Sequence, residues 1–223
     1  MGVGTIAIAV YNWGEILEKV ITMYIQTTSQ LRALYPPAKE RSLKKQISRL
    51  DEYCQRFIAL SPFVVLASSS DAFAMDASPR GGVPGFVKAL DEHTLLIPDA
   101  LGNNRLDSLE NIVRTGKVGL LFLIPGVDET LRINGTAILS TAAEHIDFFS
   151  AEKHRPRLVI EVKVVDAYLH CAKALMRSAL WSPNSLVERS ILPTMGEMIN
   201  SQSGGSAAVE TQEEMVARYK LEL

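Results

Sequence analysis

The chain has 223 residues, 47% of them apolar, and a formal net charge of −2. That length suits one medium domain with decorations at its ends, and the near-neutral balance argues against a dedicated nucleic-acid binder, which carries a strong basic excess. Two cysteines, Cys54 and Cys171, stand far apart with no CxxC pair, so neither a metal site nor a disulfide framework is expected and reduced thiols in a cytoplasmic protein are the plain reading.

Residues 4–10 are apolar but have no basic stretch before them and no small-residue cleavage pattern after them. They also fall far short of the roughly 20 residues of a membrane span. Residues 1–26 therefore read as an apolar extension with a helix over 13–25, and no membrane contact is expected. The next predicted helix covers 38–59, after the Pro36-Pro37 pair. Its apolar residues Leu43, Ile47, Leu50, Cys54, Phe57 and Ile58 recur at spacings of three and four, with Lys44, Lys45, Arg49, Glu52 and Arg56 between them.

After Ser61-Pro62 the periodicity changes. Short strands are predicted over 63–67, 72–78, 85–90 and 94–97, parted by the turn-rich Pro79-Arg80-Gly81-Gly82 and by Asp91-Glu92-His93. A helix fits 106–115, with Leu106, Leu109, Ile112 and Val113 on one side. Strands follow over 118–124, 130–139 and 158–165. Beyond Asp166 the pattern turns helical over 168–179; residues 201–208 read as a linker, and 210–220 as a final helix. Many short strands around a single inserted helix point to a compact antiparallel barrel with helices over its ends, not to βαβ units.

Three clusters hold chemistry that packing alone does not require. In Asp76-Ala-Ser78-Pro-Arg80-Gly-Gly82, the alternate residues Asp76, Ser78 and Arg80 share one strand face. A hydroxyl beside a guanidinium fork suits a phosphate, although a solvated turn is the plainer reading of the same residues. The stretch from Pro98 through Asp99, Asn103, Asn104 and Arg105 to Ser108 lies where a strand yields to a helix. Unpaired N–H groups there attract an anion, while Asp107 suits an ordinary cap. On the helix predicted over 168–179, His170, Lys173 and Arg177 form a polar stripe ending near Trp181. It is either a solvated face or a surface for an acidic planar ligand.

The order of these motifs resembles the pyridoxamine 5′-phosphate oxidase-like superfamily. It is most similar to a subfamily of FMN-dependent enzymes whose members read SPRGD, LxIPDxxGNxRLDSLxNI, LLFLxPG, ETLRVNG and HCAKAxxRSxLW. The corresponding stretches here are 78–82, 95–112, 120–126, 129–135 and 170–181, and the resemblance covers 29–183. It divides the chain into an extension (1–28), an FMN-binding domain with its leading helix (29–183) and a helical tail (184–223). Gly82 stands where the family usually has aspartate, which bears on substrate preference.

The resemblance implies a mainly β fold with flanking helices, a six-stranded antiparallel split β-barrel, working as a homodimer with FMN at the subunit interface. It assigns the FMN phosphate to Ser78, Arg80, Asn103, Asn104 and Arg105, and runs Ile97, Pro98 and Asp99 along the isoalloxazine edge. Arg132 and Asn134 would face the flavin or the second subunit; Lys173, Arg177 and Trp181 would close the pocket, from the opposite subunit, beside the pyrimidine end. The implied activity is that of an FMN-dependent oxidoreductase acting on a small-molecule substrate or electron donor. The alternatives are a non-catalytic flavin-binding or redox-sensing module, or a split barrel using haem or a deazaflavin. Haem would need an axial ligand, and none of His93, His145, His154 and His170 has a supporting motif.

Overall fold

The computed structural model describes residues 24–206 and 208–222. The apolar segment 4–10, and all but the end of the helix expected over 13–25, lie outside the described residues. The chain divides into two contact units, one ending at Lys44 and one beginning at Lys45. In the first, helix α1 (Thr28–Ala33) opens on a capping box in which Thr27 and Gln30 satisfy each other's backbone N–H groups. A single turn, α2 (Glu40–Lys44), follows.

The second unit starts with a correction. One helix was expected over 38–59, but after α2 the chain straightens and re-enters a helix only at α3 (Glu52–Leu60). The cause is long-range. Ile47 exchanges both backbone hydrogen bonds with Ala167 (3.0 and 2.8 Å), which claims residues a continuous helix would need. Asp51 then caps the new helix by accepting from the Cys54 N–H at 2.8 Å. Helix α3 buries Cys54, Phe57 and Ile58. Burial, with Asp51 beside it, pushes the Cys54 thiol up to about 12, so it packs as a protonated small hydrophobe.

Seven strands form one wholly antiparallel sheet: β1 (Phe63–Ser69), β2 (Met75–Gly81), β3 (Lys88–Ala89), β4 (Thr94–Pro98), β5 (Lys117–Leu123), β6 (Thr130–Ser140) and β7 (Val159–His170), in the order β2-β1-β5-β6-β7-β4-β3. The fold is mainly β with flanking helices, as expected, but the six-strand count is corrected to seven. The two-residue β3 stands at the sheet's end. The strand expected over 85–90 shrinks to it because Gly85 sits at φ +79° and the N–H groups of Gly85 and Phe86 go to Ser61 and Val83.

Alternation along the strands sends one face inward. Across β1, β5, β6 and β7, Leu66, Leu120, Ile133 and Ala167 form one cross-strand row, each at most 1% exposed. Leu95 and Ile97 of β4 and Val64 and Leu66 of β1 enter the same core, although β4 and β1 stand far apart in strand order. The sheet therefore curls round a single interior, with no ladder joining its two ends among the described residues. A bulge at Val165 shifts the β6–β7 register between Asn134 and Gly135. Gly135 is required there, because a Cβ would run into the Lys163 carbonyl oxygen.

Helix α4 (Asp107–Thr115), predicted over 106–115, packs Leu109 and Ile112 into the core and stops at Gly116, whose φ is +65°. A second connecting helix, α5 (Ala143–Asp147), was not expected; the Phe149 beyond it covers Leu96 and Val159 on the sheet's other face. The helix expected over 168–179 is also corrected. Tyr168, Leu169 and His170 pair with Arg132, Leu131 and Thr130 as the end of β7, so only α6 (Lys173–Ser178) is helical. Of the expected linker 201–208, the first three residues instead close α7 (Met195–Ser203), which is capped by Thr194 and Glu197 and ends at Gly204. The final helix is α8 (Gln212–Glu222). Among the described residues no helix is long and apolar enough to cross a membrane.

Candidate functional site

Strand β2 is an edge strand whose alternate residues Asp76, Ser78 and Arg80 are half-buried while their neighbours are exposed. Register explains this. They pair with Ser68, Leu66 and Val64 of β1, which are buried and face the interior. The shared face predicted from the period of two is thus the inward one, at the open end of the sheet.

Asp76 organises the inner part. Its carboxylate accepts from the hydroxyls of Ser108 (2.5 Å), Ser78 (3.1 and 3.2 Å) and Ser68 (3.4 Å). Ser68 in turn accepts from the Asn111 amide at 3.1 Å. Ser68, Ser108 and Asn111 are buried, so β1, β2 and α4 are tied by a polar network inside an apolar core. The Ser78 hydroxyl is engaged in this network.

Arg80 lies nearer the rim. Among the described residues its guanidinium makes one hydrogen bond, to the neighbouring Pro79 carbonyl at 3.0 Å, and no ion pair within reach; its remaining donors are available to an anion. Across the gap, Asp99 follows β4 and is held by its N–H to the Leu158 carbonyl at 3.1 Å. Burial raises the Asp99 carboxyl above the usual carboxylate range, and the charges of Arg80 and Arg157 oppose that rise. Arg80 and Asp99 thus feel one another although β2 and β4 stand five places apart in the sheet. The Asp76–Ser108 bond joins the two sequence clusters, 76–82 and 98–108, directly.

The connecting loop is the outer lip. Asn103, Asn104 and Arg105 are exposed; the Arg105 N–H donates to the Asn103 side chain at 3.1 Å and its guanidinium pairs with Asp107 at 2.9 Å. Asn104 and Leu106 both adopt positive φ, 59° and 60°, which turns the chain sharply into α4. Ile97 is fully buried in the core, and Pro98 is half-buried. Gly82 has a local reason: a Cβ there would stand 2.7 Å from the Cβ of Phe86, a buried core residue.

The remaining expected residues lie elsewhere. Arg132 pairs with Leu121 and Tyr168, a row on the outward face, and is exposed. Its Nε donates to Asn134 at 3.4 Å, and the Asn134 amide donates to Asp166 at 3.0 Å. The sheet thus separates Arg132 and Asn134 from Arg80 within one chain. Lys173 and Arg177 are exposed on α6, and the polar stripe expected to join them to His170 on one helix does not exist, because His170 belongs to β7. Trp181 is half-buried and anchors the segment after α6 by donating from Nε1 to the Val127 carbonyl at 2.9 Å. Sequence reasoning passed over Ser68, Asn111, Arg157, Lys45 and Tyr168. Asn111 falls inside a motif stretch and Tyr168 inside a predicted helix without being singled out, and Ser68, Asn111, Lys45 and Tyr168 gain their places through long-range contacts.

Among the described residues no group of three His, Cys, Asp or Glu side chains is placed to hold a metal ion. A family model described as pyridoxamine 5′-phosphate oxidase matches residues 50–171. Among solved structures, HupZ of Group A Streptococcus is 16% identical with a TM-score of 0.44, covering 52% of this chain and 90% of that one. An FMN-binding protein from Syntrophomonas wolfei is 14% identical with a TM-score of 0.42, covering 70% and 97%. An FAD-binding protein from Mycobacterium smegmatis is 12% identical with a TM-score of 0.40, covering 56% and 97%. No curated protein matches the chain.

Proposed function

The chain belongs to the pyridoxamine 5′-phosphate oxidase family, and from that premise we propose that it is a flavoprotein that holds FMN and serves as an oxidoreductase for a small-molecule substrate or electron donor. The observation that carries this reading is the junction of the two anion-suited clusters through the Asp76–Ser108 hydrogen bond, with Arg80 beside it at the open edge of the curled sheet.

The donor set fits a phosphate. Arg80 offers a half-buried planar fork, Asn103 and Asn104 supply amides from the lip, and Arg105 adds a second charge there by leaving Asp107. Ser78 joins only if its hydroxyl turns from Asp76, so its first role is to hold Arg80's strand in register. Pro98 and the backbone around Asp99 would border the flavin ring, with Ile97 packing behind them. When bound, FMN supplies two-electron transfer. The protein's own part is to bind the anionic end, orient the ring and keep an apolar wall behind it.

Arg132 and Asn134 lie on the other side of the sheet from Arg80, so a single flavin can meet both sets only if a second copy lends its outer face. The reading therefore takes the protein as a homodimer with FMN at the boundary, with Lys173, Arg177 and Trp181 approaching from that second copy. The narrower subfamily of FMN-dependent enzymes fits the same motifs, and a cytoplasmic location fits its reduced thiols.

The decisive experiment is the absorption spectrum of the purified protein, with mass analysis of the released cofactor. FMN at one per chain is the expected result; haem, a deazaflavin or no chromophore overturns the reading. Replacing Arg80 by Ala should then strip the flavin while leaving the circular dichroism of the sheet intact. Flavin retained at parental affinity would refute the phosphate assignment.

A further inference from the structure

On the outward face of β6 and β7, three basic side chains gather round one aromatic ring. Lys45 Nζ stands 5.2 Å from the Tyr168 ring centroid and Arg132 Cζ 5.7 Å from it. The His170 ring lies 5.0 Å from Tyr168, tilted by 53°. The placement is built by backbone pairing. Arg132 and Thr130 face Tyr168 and His170 across the ladder, and the Ile47–Ala167 bridge lays Lys45 alongside, where its ammonium donates to the Leu169 carbonyl at 2.6 Å.

The charges on this face do not cancel locally. Among the described residues neither Lys45 nor Arg132 is in an ion pair, whereas Arg49, Arg105, Arg114 and Lys163 each have a carboxylate. Asp166, the acid of β7 nearest to this cluster in sequence, accepts from the Asn134 amide. Lys45 and Arg132 are exposed and Tyr168 and His170 half-buried, so the ring and the charges are open to a ligand but backed by sheet. Two cations held close on a fixed platform repel one another, and an anion between them relieves that cost.

We propose that Lys45, Arg132 and His170, arranged round Tyr168, form a docking site for the carboxylate or phosphate group of a small anionic molecule. As the substrate's or electron donor's acidic end, this assignment rests on the flavin reading above; as an anion site it stands on this geometry alone. His170 is held below the ordinary histidine range by burial and by the charges of Lys45 and Arg132. The groups facing it are Lys45 from the segment before the bridge, Arg132 from β6 and Tyr168 from its own strand. A bound anion reverses the repulsion, so His170 takes up a proton and binding strengthens as pH falls.

The test uses the full-length protein as purified, with its flavin content read from the absorption spectrum of the same sample. The His170 imidazole is followed by NMR, its resonance assigned by its loss in H170Q, while oxalate is added in one arm and inorganic phosphate in the other. The expected result is a rise in the His170 pKa with at least one of the two, which also tells carboxylate from phosphate. R132Q and K45Q should each weaken that ion's affinity about tenfold, as loss of a charge-assisted contact does. Asp166→Asn, which removes the neighbouring negative charge, should tighten it. If neither ion moves His170, or if R132Q and K45Q bind like the parent, the proposal is overturned. A colourless protein whose His170 still responds would remove the flavin reading and leave the anion site standing.

Discussion

The two faces of this sheet treat polar side chains in opposite ways. On the inward face of β2, Asp76 spends its carboxylate on three hydroxyls, and Ser68, Ser108 and Asn111 are buried within the same network. On the outward face of β6 and β7, Arg132 and Lys45 stand beside Tyr168 with no ion-paired acid among the described residues. An inward polar group must be satisfied by protein, because water is excluded and an orphaned partner costs its full desolvation. An outward cation is solvated, contributes little to stability, and stays available for a ligand. The inner network should therefore act mainly on folding and the outer cluster mainly on binding.

The largest expected effect breaks the inner side. Asp76→Ala leaves the buried Ser68 and Ser108 hydroxyls without their acceptor and should cost about 3 kcal/mol in urea unfolding. A loss under about 1 kcal/mol would mean that water replaces the carboxylate and that the network is not structural.

Next is Gly82→Asp, which restores the residue usual in the resembling subfamily. Its Cβ displaces the buried Phe86, so unfolding should become easier by about 2 kcal/mol. An unchanged midpoint would show that Phe86 yields freely.

Asp99 gives a smaller, pH-dependent effect. Its carboxyl is raised by burial in the folded chain, so the folded state holds the proton more tightly and stability is lost as pH climbs through the carboxylate range. Asp99→Asn should raise the melting temperature at neutral pH, with the gain vanishing below about pH 4, near the ordinary aspartate value. A gain that persists at lower pH would assign the effect to packing.

The smallest stability change is expected on the outer face. Arg132→Gln should alter stability by no more than about 0.5 kcal/mol, while moving the His170 titration upward by NMR, since one of the charges depressing it is gone. Because neutral His170 is favoured on folding, its contribution is present above the histidine range and fades as pH falls through it. Large destabilisation by R132Q would erase the contrast between the two faces.

Local patterns sufficed where the signal is local. Strands β1, β5 and β6 were readable as short apolar and β-branched runs, and α4 by its apolar spacing. The hydroxyl–guanidinium pair at Ser78 and Arg80 and the polar turn before α4 were equally readable as residue chemistry. Three features were not. Ile47 carries a helical spacing but is claimed by Ala167, 120 positions along the chain, because two backbone hydrogen bonds in a sheet edge outweigh a weak helix preference. His170 fits a helical stripe but is paired opposite Thr130. The bond between Asp76 and Ser108, 32 positions along the chain, follows from the packing of α4 against β1 and β2.

The sequence by itself determined which residues carry anion-suited chemistry and where the strands lie, since those depend on side-chain type and local pattern. Only the tertiary structure decided which of those residues share a site. Register sends Arg80 inward and Arg132 outward, and a one-residue slip of either strand would exchange the two faces.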